Sequence, residues 1–118
     1  MLVERPADRA RAVRQRLRGE ELQAPHLIDL EVAQTLRRYV LAGNLAADRA
    51  SSALMVLAQL PLTRYVHYPL LERVWRLRSN LTAYDAAYVA LAQFLQAPLL
   101  TLDARMGRAG ASATIEVL

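Results

Sequence analysis

A chain of 118 residues fits one domain, and a hydrophobic fraction of 54% lets it bury a core without cross-links. With no cysteine, disulfides, thiolate nucleophiles and cysteine-ligated zinc are excluded. The net charge is +4, and all 15 basic residues are arginine, a side chain that forks around phosphate, although GC-rich codons also favour arginine over lysine.

Pro6 opens and Gly19 closes an amphipathic surface helix, with Ala10, Val13 and Leu17 on one face. An extended piece over 21–25 follows, ending at Pro25. Residues 26–44 read as a helix whose Leu27, Leu30, Leu36 and Val40 are expected to share a face, with Gly43-Asn44 as its stop. A third helix over 46–60 stops at Pro61. The Thr, Tyr and Val content of 62–68 predicts a strand, and Pro69 starts a further helix that Ser79-Asn80 break. Trp75 within it reads as a core or interface anchor. The strongest helical pattern spans 82–96, with Tyr84, Tyr88, Leu91 and Leu95 assigned to one apolar face. Residues 97–102 form a continuous apolar run, as in a strand buried on both sides; 103–112 read as a short helix or loop, and 113–118 as a final strand. Helices alternating with short strands predict an α/β domain with a parallel sheet over 1–118. The N-terminus has no signal-peptide pattern, and no apolar run is long and clean enough for a bilayer, so a soluble cytoplasmic protein without membrane contact is expected.

Three acids stand at element ends beside apolar faces: Glu31, Asp85 and Asp103. Each has a structural explanation. Thr82 and Asp85 are spaced for a helix cap, Asp103 can cap the segment after it, and Glu31 can pair with Arg37 or Arg38. Together they suggest more. Carboxylates that converge at a sheet edge repel one another, and a hard divalent cation such as Mg²⁺ or Mn²⁺ relieves that repulsion. A cation held this way activates water and neutralises charge on a phosphate, which is the chemistry of a metal-dependent nuclease. Other chemistries are poorly supplied. His26 and His67 lack metal-ligand partners at helical spacing, Ser51-Ser52 have no nearby base, and four glycines form no phosphate loop. Asp29, Glu72 and Glu116 read as surface or pairing charges.

The stretches "APHLIDLEVAQTLRR", "LTAYDAAYVALAQFLQAPLLTLDARM" and "ATIEVL" resemble the PIN-domain family, specifically the VapC ribonuclease toxins of bacterial toxin–antitoxin modules. The likeness runs from about residue 5 to the C-terminus. It implies a three-layer α/β/α fold, a Mg²⁺- or Mn²⁺-dependent endoribonuclease, an RNA substrate, a cognate antitoxin that blocks the site, and a homodimer. Glu31, Asp85 and Asp103 fall on the family's second, third and fourth acidic positions, where the resemblance makes them metal ligands. Thr82 matches the Ser/Thr ahead of the third acid, and Arg105 is expected to contact RNA phosphate. The family opens with a buried strand ending in an aspartate, and "MLVERPADR" contains no match to it. The resemblance therefore implies a domain without that central strand and first acid. Its neighbours would close up or accept "MLVE", and the chain by itself would show little ribonuclease activity. The alternative is a non-catalytic interaction protein that keeps only an antitoxin-binding or dimerising surface.

Overall fold

The computed structural model describes residues 6–101, 106 and 114–117. Helix α1 (Pro6–Leu17) leads into strand β1 (Leu22–Pro25), followed by helices α2 (Leu27–Leu41) and α3 (Ala47–Gln59) and strand β2 (Leu62–Tyr65). A 3₁₀ turn (Tyr68–Leu70) runs directly into α4 (Leu71–Arg76), and then come α5 (Ala83–Leu95), β3 (Leu99–Thr101) and β4 (Ile115–Val117). Among the described residues no helix is long and apolar enough to cross a membrane.

The α/β expectation holds: helices separate short strands, and the strands pair in parallel. Leu22 stands opposite Leu62 and Pro25 opposite Tyr65 in the first pair, and Leu99 opposite Ile115 in the second. Among the described residues the small sheet expected from the sequence is seen as two two-stranded pieces, β1–β2 and β3–β4. Between β1 and β3 lies a cavity of about 600 Å³, lined by the whole of β1, by Leu99 and Leu100, and by apolar side chains such as Leu17, Ile28, Leu57 and Leu91. The expected filler "MLVE" lies outside the described residues.

Helix α5 joins the two pairs, since it packs against β1, β3 and α4. Its buried residues are Ala86, Ala87, Val89, Ala90, Leu91 and Ala92. Alanine is the best helix former and leaves room for neighbouring backbones to come close. Leu70 and Val74 of the turn and α4 complete the main cluster, with Leu27, Tyr65, Leu77, Leu81 and Leu95 packed around it.

Bidentate ion pairs fix the outer elements. Arg64 on β2 donates Nε and Nη2 to the two carboxylate oxygens of Asp29 on α2, at 2.7 and 2.9 Å, and Nη2 also reaches the Leu57 carbonyl of α3 at 3.3 Å. Arg16 on α1 donates Nε and Nη2 to Glu116 on β4, each at 2.7 Å. Glu72 pairs with Arg76 one turn along α4. The reading of Asp29, Glu72 and Glu116 as pairing charges is thus met in all three cases.

Several sequence expectations change. Leu30 is exposed, and α2 buries two different faces instead of one. Leu27 packs against the α5 cluster, while Leu36 and Val40 line a groove with α3. The reason is helical pitch: six residues from Leu30 to Leu36 advance about 600°, which leaves Leu36 roughly 120° away from Leu30. The strand expected over 62–68 stops at Tyr65, because its partner strand stops at Pro25; Val66 beyond it is exposed. The helix begun by Pro69 is a 3₁₀ turn plus six α-helical residues. Trp75 is not a core anchor: it is exposed, and the Arg78 guanidinium lies over its ring at 4.8 Å. Tyr84 is likewise exposed and leaves the apolar face of α5. Of the segment expected to be a short helix or loop after β3, only Met106 is described, and it is helical and buried.

Leu91 and Tyr84 test which face of α5 faces inward. Leu91→Ala should cost about 2–5 kcal/mol, the range for emptying a core leucine site. Tyr84→Ala should stay within about 0.5 kcal/mol, as a surface change does. Urea unfolding of both variants measures the contrast.

Candidate active site

Strand β1 passes into α2 across a single residue, His26. The backbone N–H of His26 donates to the Tyr65 carbonyl at 2.8 Å, so α2 starts on the carboxyl end of the β1–β2 pair. The Asp29–Arg64 pair holds the first turn in that place. Glu31, two residues further, is thereby carried to the edge where the strands end, and its side chain is partly buried.

Helix α5 brings the second carboxylate. Thr82 is its N-cap, with extended backbone, and its Oγ1 accepts the Asp85 backbone N–H at 3.1 Å. The cap satisfies one of the amides that a helix start leaves unpaired and fixes the first turn. Asp85 sits in that turn, partly buried, in a small pocket of about 160 Å³ lined also by Tyr88, Leu99, Leu100, Thr101 and Met106. The pocket lies at the end of β3.

Tyr88, one turn after Asp85, links the two helices. Its hydroxyl donates to Oε1 of Glu31 at 2.5 Å. The phenol is held far above its ordinary value of 10.0, first by burial, then by the hydrogen bond to Glu31, and further by the negative charge of Glu31, Asp85 and Asp29. It is therefore a neutral donor. The same phenol feels three carboxylates, one of which, Asp29, is neutralised by Arg64. Among the described residues, Glu31 and Asp85 have no basic partner within ion-pair distance. Arg38, a candidate partner of Glu31, instead donates to Thr35 at 3.4 Å.

The structure thus brings Glu31, Asp85 and Thr82 into one region, through Tyr88 and the α5 cap. Asp103 and Arg105 lie outside the described residues. Among the described residues no three acidic or histidine side chains form a metal-holding group. Among the described residues the two carboxylates are oxygen donors without compensating cations, which suits a hard divalent ion, since Mg²⁺ binds through one or two carboxylates and keeps its remaining waters. Tyr88 escaped the sequence reading because its place beside Leu91 and Leu95 made it look like core. The available signal was its position three residues after Asp85, which puts both side chains on one helical face.

The PIN domain family model matches residues 1–111. The chain is 44% identical over 97 residues to "VapC ribonuclease Mb0985" of Mycobacterium bovis, which covers 82% of this chain and 76% of that protein. It is 51% identical over 87 residues to "Ribonuclease VapC1" of Mycobacterium tuberculosis, covering 73% of this chain and 65% of that one. With "Ribonuclease VapC3" of the same species the identity is 41% over 112 residues, 95% of this chain and 82% of the relative.

Two measurements test how this region is held. Thr82→Ala should lower stability by about 1 kcal/mol through loss of the cap, and Thr82→Ser should restore most of it. The second concerns acid. The Arg64 hydrogen bond lowers the Asp29 pKa below 3.8, so the folded state keeps its proton off longer than the unfolded state does. That contribution is complete above about pH 4 and is lost as pH falls through the folded-state value. Asp29→Asn should therefore be less stable at neutral pH and show a shallower loss of stability below pH 4, as read by melting temperature across pH.

Proposed function

This chain belongs to the PIN-domain family, and from that membership we propose that it is a VapC-like, metal-dependent endoribonuclease toxin of a type II toxin–antitoxin system, neutralised by a cognate antitoxin. The observation that carries the reading is the pair Glu31 and Asp85, set by two different helices near one phenol and, among the described residues, without a neutralising base. In a structural role such acids are ordinarily paired, as Asp29, Glu72 and Glu116 are here.

Glu31 and Asp85 would hold Mg²⁺ or Mn²⁺, with Asp103 as the third acid. The bound ion supplies a more acidic water and charge neutralisation at the scissile phosphate. The chain's own groups prepare the site. Thr82 fixes the first turn of α5 and so the starting point of the Asp85 side chain. The strand ends and the Asp29–Arg64 pair set the distance of Glu31 from it. The all-arginine basic complement, Arg105 included, supports binding to the RNA backbone by two-point contacts with phosphate, with affinity that falls as salt rises.

A cytoplasmic location goes with this reading, because that is where its RNA substrate would be met. The antitoxin and a second copy of the chain are the expected protein partners. Exposed apolar side chains on α3, among them Met55 and Val56, support such a contact surface.

Asp85→Asn tests the assignment. It should lower chelator-sensitive RNA cleavage by about 100-fold or more, beyond the 10–100-fold typical of groups that only support a ligand. Mn²⁺ binding measured by calorimetry should fall with it. Stability should change by less than about 1 kcal/mol, because relief of repulsion between Asp85 and Glu31 offsets the lost interaction with the helix end. Unchanged Mn²⁺ affinity in the variant would remove Asp85 from the site.

A further inference from the structure

We propose that Tyr88 is a positioning residue of this site, and that its hydroxyl sets cation affinity by fixing which oxygen of Glu31 is left free. This rests on the reading of Glu31 and Asp85 as metal-holding carboxylates and goes beyond it by giving a residue of the apolar helix a defined part.

A glutamate side chain turns about three torsions and has two equivalent oxygens. Left to itself, Glu31 would offer a cation many geometries. Tyr88 narrows them. Its ring is half-buried, and it borders both the apolar cavity between β1 and β3 and the small pocket that holds Asp85. Its backbone lies in closely packed α5 between the buried Ala87 and Val89, so the hydroxyl is presented from a fixed place on that helix. The donated hydrogen bond takes a lone pair of Oε1 and leaves Oε2 as the oxygen without a hydrogen bond among the described residues.

The second consequence is spacing. Asp85 and Tyr88 are three residues apart on α5, and this places them on one face. Glu31 comes from α2, which is attached to β2 and not to α5 through its own ion pair. The Tyr88–Glu31 hydrogen bond is therefore the direct polar link between the two helices that carry the acids, among the described residues. Removing it would leave both helices in place, held by the strand ends and the Asp29–Arg64 pair, but free the Glu31 side chain to turn away from Asp85. Pre-organisation of that side chain is what a weakly held, partly hydrated ion needs, since the cost of ordering the ligands otherwise counts against binding.

Tyr88→Phe removes the hydroxyl and keeps the ring that fills the space. The expected result is a melting curve close to wild type, with Mn²⁺ affinity by calorimetry weakened about 10–100-fold. RNA cleavage should fall at low Mn²⁺ and recover as Mn²⁺ is raised, with the KM for RNA unchanged. A purely structural role for Tyr88 would lower stability and would not be rescued by the ion. A double-mutant cycle on Mn²⁺ affinity isolates the link: in a Glu31→Gln background, Tyr88→Phe should add little further loss. If Tyr88→Phe binds Mn²⁺ like wild type while Asp85→Asn does not, the inference about Tyr88 is overturned and the metal site stands. If wild type itself binds no Mn²⁺, the metal reading fails and the inference falls with it.

Discussion

The close packing of α5 is the constraint on which the rest of the structure depends. Ala86, Ala87, Ala90 and Ala92 carry almost no side chain, and so one helix can approach β1, β3 and α4 at the same time. The strands are three or four residues long and occur in two pairs, each too small to be stable alone. What holds them in one domain is the helix laid against both. A larger side chain at a buried alanine would push one pair away, and overpacking of this kind is typically costly. The same helix starts at Thr82, so the element that organises the core also delivers Asp85 to the ends of the strands.

Arginines on α1, α4 and β2 neutralise Glu116, Glu72 and Asp29, and two of these pairs join elements distant in sequence. Among the described residues Glu31 and Asp85 are left out of that pairing, and Glu31 accepts from a neutral phenol instead. A phenol can orient a carboxylate without cancelling its charge. An arginine in the same place would neutralise it and compete with any cation. That arrangement orients Glu31 without pairing it to a base, and it agrees with the likeness to ribonucleases of the VapC type.

Local signals in the chain marked the boundaries of most elements. Pro6 and Gly19, Gly43, Pro61 and the Thr82 cap each act within a few residues of themselves, so α1, α2, α3 and α5 were legible to within a residue or two. The cap geometry of Thr82 and Asp85 was legible for the same reason, because it depends on a spacing of three along one helix. Less legible were the elements whose length depends on a partner. The strand after Pro61 stops where β1 stops, and Trp75 lies outside because α4 has only six residues and turns Leu70 and Val74 inward.

What the sequence by itself determined was the set of acids, the helices that carry two of them, and the membership that its motifs announced. Only the tertiary structure decided which partner each acid meets: the sequence separated Asp29 as a pairing charge from Glu31 as a site acid, two residues apart on one helix, but pointed to neither Arg64 nor Tyr88. Asp29 is turned toward Arg64 on β2, and Glu31 toward Tyr88 on α5. Those partners lie 35 and 57 residues away along the chain. A contact of that separation is set by how helices and strands pack, and no spacing within a single element encodes it.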